Sequence, residues 1–332
     1  MELFTTESLP GYLRSKGWTG SSENPRVVQL PGGVSCHLFR VETGERNFIV
    51  KQALERLEVK VEWLSHPSRI FQEIDCLEWV AKHIDPRTVP KVLGRDDEHF
   101  LFLMAIASDG AENWKQCLLR GDVDPGFAEK VGDFLGRLHA LTHNDVQIAK
   151  RFEDKSRFEE LRLDAYLRFT SRKHSDLEPL FTEEIEKLSS ARISLVHGDY
   201  SPKNFLVLPD GGFWFLDWEV AHYGHPAFDV AFCLNHFLIK SLFLPDCRDS
   251  FLEAARLFWA AYRAKSAEAG TLVTFPHLGR LTGMLMLARI DGKSPVEYVT
   301  SEDLKQRLRT IAKKMILEPV EEMKQLVERF MA

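Results

Sequence analysis

His197-Gly198-Asp199, then Asn204, then Asp217-Trp218-Glu219 bring one imidazole, three carboxyl groups and an amide into one short stretch of the chain. Carboxylate and amide oxygens are hard ligands of the kind Mg²⁺ takes, and a carboxylate outside the metal shell can receive a proton. Phosphoryl transfer needs this set, because it asks a protein for little covalent work and much positioning. Asp199 is the candidate base. Asn204 would offer an amide oxygen to the metal, and Asp217 would bridge metal and phosphate oxygens. Glu219, two residues on, shares a face with Asp217 in extended backbone and would join the metal directly or through water. A single Asp or Asn in a loop is most often a turn or cap residue. The ordered series of them makes that reading improbable.

Short apolar runs frame these residues at 193–196, 205–208 and 213–216, with Pro209, Asp210, Gly211 and Gly212 between the last two. The pattern predicts strands and a hairpin that lift Asp199, Asn204 and Asp217 to one edge. Upstream, strands are expected at 27–30, 37–41, 48–53, 92–94 and 100–107, forming a small antiparallel sheet. A helix over 68–84 interrupts them, with Ser68 as N-cap and Ile70, Ile74, Leu77 and Val80 as its apolar stripe.

Gly32 and Gly33 followed by Ser35 lie between the first two strands, where glycine permits the turn that aims backbone N–H groups at an anion. An ordinary hairpin has the same composition. Lys51 sits in a strand whose neighbours demand burial, so its ammonium needs a carboxylate, and Glu73 on the following helix is the chosen partner. An edge-strand lysine reaching out to water is the alternative.

A chain of 332 residues suits two lobes, and the turn-rich Ser108-Asp109-Gly110 places their boundary at 1–107 and 108–332. Apolar repeats at helical spacing in 127–138, 158–170, 182–188, 251–264 and 304–330 make the second lobe mainly helical. The net charge of -6 with scattered Lys and Arg gives no nucleic-acid footprint. Five dispersed cysteines without a CxxC pair argue against a disulfide framework or structural zinc. No apolar run approaches a membrane span, and the N-terminal residues do not read as a signal peptide, so a cytoplasmic protein is expected. No feature fixes an oligomeric state.

His197 through Asn204, followed by Asp217-Trp218-Glu219, resembles the catalytic signature of the aminoglycoside phosphotransferase superfamily, which includes choline, homoserine, fructosamine and methylthioribose kinases. The resemblance implies an α+β, bilobal, protein-kinase-like fold, with ATP bound and Mg²⁺ held at the Asn204 and Asp217 positions. It implies a strand whose Met104, Ala105, Ile106 and Ala107 meet adenine through backbone groups. It also gives His197 a loop-orienting role and Asp229 the role of a buried brace for the catalytic loop. The first lobe is similar in particular to methylthioribose kinases, but those enzymes lack an Asn at the position of Asn204.

The expected activity is transfer of the ATP γ-phosphate to a hydroxyl of a small metabolite, such as a methylthioribose-like sugar or an amino alcohol. Arg289, Asp291 and Lys293, in a polar break after the apolar run 281–287, are the candidate acceptor contacts; a helix end answering its dipole is the alternative. An aminoglycoside is the second acceptor class, although no ring of carboxylates for a polycation is evident. A metal-dependent hydrolase would leave Lys51 and the glycine turn without a role. A nucleotide-binding module without turnover would leave Asp199 without one.

Overall fold

The computed structural model describes residues 3–31, 35–56, 66–270 and 272–331; Gly32 and Gly33 lie outside them. The chain forms two compact units, Met1–Ala111 with Leu208–Glu219, and Glu112–Val207 with Val220–Ala332. The division after Ala111 falls a few residues beyond the expected 107/108. Segment Leu208–Glu219 returns to the first unit, where Phe215 N donates to Thr88 O at 2.8 Å.

In the first unit helix α1 (Leu9–Ser15) precedes strands β1 (Arg26–Leu30), β2 (Cys36–Glu42) and β3 (Asn47–Ala53). Helix α2 (Arg69–His83) and strands β4 (Val92–Asp96) and β5 (Leu101–Ala105) complete an antiparallel sheet of order β1-β2-β3-β5-β4. Strand β3 is central, and every residue after Asn47 is buried. Its period of two sends Phe48 and Val50 into a core with Phe39, Val41, Leu101, Leu103 and the α1 residues Leu9 and Leu13. Lys51 therefore points to the opposite face. Each fully buried Val, Leu or Phe in this core contributes roughly 1.5–3 kcal/mol.

Helix α2 buries the expected stripe of Ile70, Ile74, Leu77 and Val80. Ser68 stands at its N-cap but makes no cap bond, and its hydroxyl lies 2.9 Å from His66 Nδ1.

The second unit is mainly helical. Helix Pro125–Leu141 starts on an Asp124 cap that accepts from Gly126 N, with Pro at its first position. It packs tightly on helix Arg248–Ser266: a Cβ at Gly132 would lie 2.2 Å from Phe258 O, so only glycine allows this approach. Helix Ala227–Phe243 is buried from Ala227 through Leu242. An element buried on all sides presents no solvent face and so no amphipathic period, which is why the sequence did not reveal it.

Residues Glu159–Arg168 wind as a π-helix, and the helical stretch expected over 304–330 is two helices, Glu302–Leu317 and Met323–Met331, with Pro319 between them. Short strands β6 (Glu112–Asn113), β7 (Ser194–Val196) and β8 (Phe205–Val207) belong to the second unit, β9 (Phe213–Phe215) to the first and β10 (His222–Gly224) to the second. Strand β6 pairs with β8, and β7 with β10, which His222 opens. The five cysteines are free. Among the described residues no single helix is long and apolar enough to cross a membrane.

Candidate active site

Two clusters of charged residues form, one in each unit. In the first, Lys51 Nζ lies 2.7 Å from Glu73 Oε2 and 2.9 Å from Asp217 Oδ1. Lys51 and Glu73 are 6% and 2% exposed, so neither charge has water to replace its partner. Burial alone would lower the Lys51 pKa, but the Asp217 and Glu73 carboxylates outweigh it and hold the ammonium charged well above its ordinary range. For Glu73 burial prevails, and its carboxyl is raised against the pull of Lys51. Asp217 adopts φ 66°, a left-handed conformation costly for most residues and tolerated by Asp.

Beneath this cluster lies a residue the sequence reading missed. Arg69, 1% exposed, donates through Nε to Glu219 Oε2 at 2.9 Å, through Nη2 to Leu54 O at 2.7 Å and to Ser35 O, and through Nη1 to His66 O at 3.2 Å. The guanidinium fork thus ties the backbone at both ends of the β2–β3 hairpin to Glu219. This alters the expectation for Glu219, because one of its oxygens is committed to a buried arginine. An Arg in the first helical turn opposes the helix dipole, and that cost was the only local hint of its role.

Strand β5 ends at Ala105, whose N–H donates to Lys91 O at 2.9 Å. Met104 is paired within the sheet, while Ile106 and Ala107 continue past the end of β5. Ser35 is 9% exposed and is anchored through its carbonyl by Leu54 N and Arg69.

In the second unit Gly198 has φ 77°, and a Cβ there would come within 2.9 Å of Val220 O, so glycine is required. The backbone N–H groups of His197 and Gly198 donate to Asp229 Oδ2 at 2.7 Å and Oδ1 at 2.9 Å. Asp199 N donates to His197 Nδ1 at 3.0 Å. Asp229 and the His197 ring, both fully buried, thereby fix the turn on which Asp199 stands.

Asp199 is 3% exposed; its Oδ2 lies 2.7 Å from Lys203 Nζ and 3.1 Å from Arg162 Nη2. Arg162 projects from the π-helix and also donates to Gly198 O at 2.5 Å. Asn204 Nδ2 donates to Asp199 O at 2.9 Å, which leaves its amide oxygen as the group available to a cation. The amide oxygen of Asn204 in the second unit, and separately the carboxylate of Asp217 in the first, are each hard donors of the kind Mg²⁺ takes.

Asp199 lines a cavity of about 190 Å³ with Lys203, Tyr166, His236, Arg289 and Tyr298 among its walls. Of the three expected acceptor contacts, Arg289 alone lines it. Asp291 instead takes a two-pronged ion pair from Arg309, at 2.9 and 3.0 Å, and His174 Nε2 at 2.9 Å. Burial would raise its carboxyl, yet these partners hold it below the usual range. Lys293 lies over the Phe169 ring, 5.8 Å from its centroid. Helix Phe275–Asp291 ends between Arg289 and Lys293, and the chain turns there so that alternate polar side chains diverge.

Residues 26–266 match the model of a family described as the phosphotransferase enzyme family. Among solved structures, the chain resembles a Ralstonia eutropha JMP134 protein provisionally assigned as an aminoglycoside phosphotransferase, at 15% identity, 99% coverage of each chain and a TM-score of 0.58. It also resembles the amicoumacin kinase hAmiN, at 18% identity, 90% coverage of this chain and 91% of that one, and a TM-score of 0.55. A choline/ethanolamine kinase family protein from Mesorhizobium loti gives 14% identity, 98% coverage of each chain and a TM-score of 0.51. At these identities the likeness is one of fold, which is the expected kinase-like α+β arrangement. No curated protein sequence matches the chain significantly. The family match spans both charged clusters and the strands that carry them, and the chain belongs to the phosphotransferase enzyme family.

Proposed function

We propose that the chain is an ATP-dependent kinase that phosphorylates a hydroxyl of a small metabolite. The observation that carries this reading is the carboxylate of Asp199, buried at the wall of a small cavity on a turn braced by Asp229 and His197. The acceptor oxygen attacks the γ-phosphorus, the bond from that phosphorus to the bridging oxygen of ADP breaks, and the acceptor proton passes to Asp199. The products are a phosphate monoester and ADP. Lys51, held by Glu73, would receive the nucleotide phosphates. Asn204 and Asp217 would hold Mg²⁺, which when bound neutralises phosphate charge. Glu219 would act through Arg69, fixing the hairpin that contains Ser35.

Nucleotide use is supported by the amicoumacin kinase, which was solved with AMP-PNP and Ca²⁺. An aminoglycoside acceptor is the second reading, since the Ralstonia protein of similar fold is assigned to that class. Asp199→Asn tests the common step. Its kcat should fall by roughly 10² to 10⁴ with nucleotide affinity retained, the range for loss of a general base. Undiminished ADP release in that variant would remove Asp199 from the reaction.

A further inference from the structure

The wall of the Asp199 cavity holds Lys115, Lys203 and Arg289 against Asp199 and Glu297. Lys203 and Arg162 are both engaged by Asp199, and Lys115 by Glu297. Arg289 has only neutral acceptors: Tyr166 Oη at 3.0 Å, Ser294 O at 2.5 Å and Ser294 Oγ at 3.2 Å. Its Nε is buried without a hydrogen-bond partner among the described residues.

Behind the wall Lys240, 0% exposed, reaches among the described residues only Tyr298, with Oη at 3.3 Å and the ring centroid at 5.0 Å. Among the described residues neither Arg289 nor Lys240 has a carboxylate within 4.0 Å. His236, 7% exposed, lines the same cavity, and its Nδ1 is buried without a partner among those residues.

Burying cations without counter-charges is costly, and a ligand anion would offset that cost. We propose that the acceptor carries an acid group, a carboxylate or a phosphate, beside the hydroxyl that is phosphorylated, and that this group is seated on Arg289 with His236 beside it and Lys240 behind Tyr298. A guanidinium presents two parallel N–H groups to such an oxyanion. The cavity volume suits an acceptor of roughly six to ten non-hydrogen atoms, by comparison with cavities that hold benzene. A polycation would meet like charge instead. The inference rests on the phosphotransfer reading for the hydroxyl but not for the acid group, so the two can fail separately.

The test uses a three-carbon set that varies at one end of the molecule: neutral glycerol, anionic glycerate and glycerol phosphate, and cationic aminopropanediol. ADP release reports turnover, and calorimetry at constant ionic strength reports binding to the full chain. The acids should exceed their neutral partners by at least about tenfold in kcat/KM, the carboxylate and phosphate arms telling which acid is preferred. Arg289→Met should raise KM for the preferred acid by about tenfold or more with kcat changed far less, and Arg289→Lys should recover part of the loss. Thermal unfolding checks that both variants are folded. Equal or better use of neutral or cationic acceptors would overturn the inference and leave the kinase reading standing. Acid binding that depends on Arg289, without any turnover, would support the seat while sinking phosphotransfer. Absence of acid binding together with absence of turnover would overturn both.

Discussion

Around Lys51 the acids outnumber the bases, with Glu73, Asp217 and Glu219 against Lys51 and Arg69, whereas around Asp199 the cations Arg162, Lys203, Lys115 and Arg289 outnumber Asp199 and Glu297. The first imbalance is of the kind a divalent cation corrects, the second of the kind an anion corrects. Lys51, Glu73 and Arg69 in the first cluster and Asp199 in the second are buried, so solvent does little to relieve the surplus at these groups, while Lys203 and Glu297 stand more than half exposed. The two halves thus have opposite needs, and the segment that runs from His197 to Glu219 contributes to each of them.

The most severe way to break the first balance is to remove Arg69. Arg69→Met leaves Glu219 buried without its arginine and takes the guanidinium from the Ser35 and Leu54 carbonyls, and it should cost about 3–5 kcal/mol of unfolding free energy in urea titration. A loss below about 1 kcal/mol would show that the network carries little of the first unit's stability.

Lys240 probes the second balance through pH. Burial, with Arg289 and Lys115 adding to it, lowers its pKa to about 7, while in the unfolded chain it stays protonated up to about 10.5. Between those values the unfolded state binds more protons, so stability should rise with pH across this window, by up to about 1.4 kcal/mol per pH unit. Lys240→Met should flatten the rise. An unchanged slope in thermal unfolding from pH 7 to pH 9 would contradict the assignment.

The smallest expected effect sharpens the boundary of the proposed acceptor site. Arg309→Met removes the ion pair to Asp291, which is partly exposed, and should cost no more than about 1 kcal/mol. Because Asp291 faces Arg309 and His174, kcat/KM should not change. A tenfold fall would return Asp291 to the site.

The five strands of the first unit's sheet were readable to within two residues at each end, because alternation and bounded apolar runs depend on near neighbours. The same holds for α2 and its Glu73, whose place opposite Lys51 follows from a strand face and a helix stripe. Arg69, Arg162 and Lys240 were opaque for one shared reason: the partners of a buried cation come from far along the chain. Arg69 and Glu219 are 150 residues apart, and Arg162 and Gly198 are 36 apart. Near neighbours misled at 289–293, where a run of polar residues looked like one contact surface, and helix geometry sent its members apart. At 304–330 the apolar period continued across Pro319, but the helix could not.

The π-wound stretch Glu159–Arg168 gives this protein a length constraint that its chemistry alone would not impose. Each residue of an ordinary α-helix advances the side chains by about 100°. Dropping one residue there, so that the stretch tightened to normal winding, would swing the Arg162 guanidinium off the Gly198 carbonyl. The segment therefore works as a spacer whose residue count, more than its composition, keeps one arginine in register with the loop it grips.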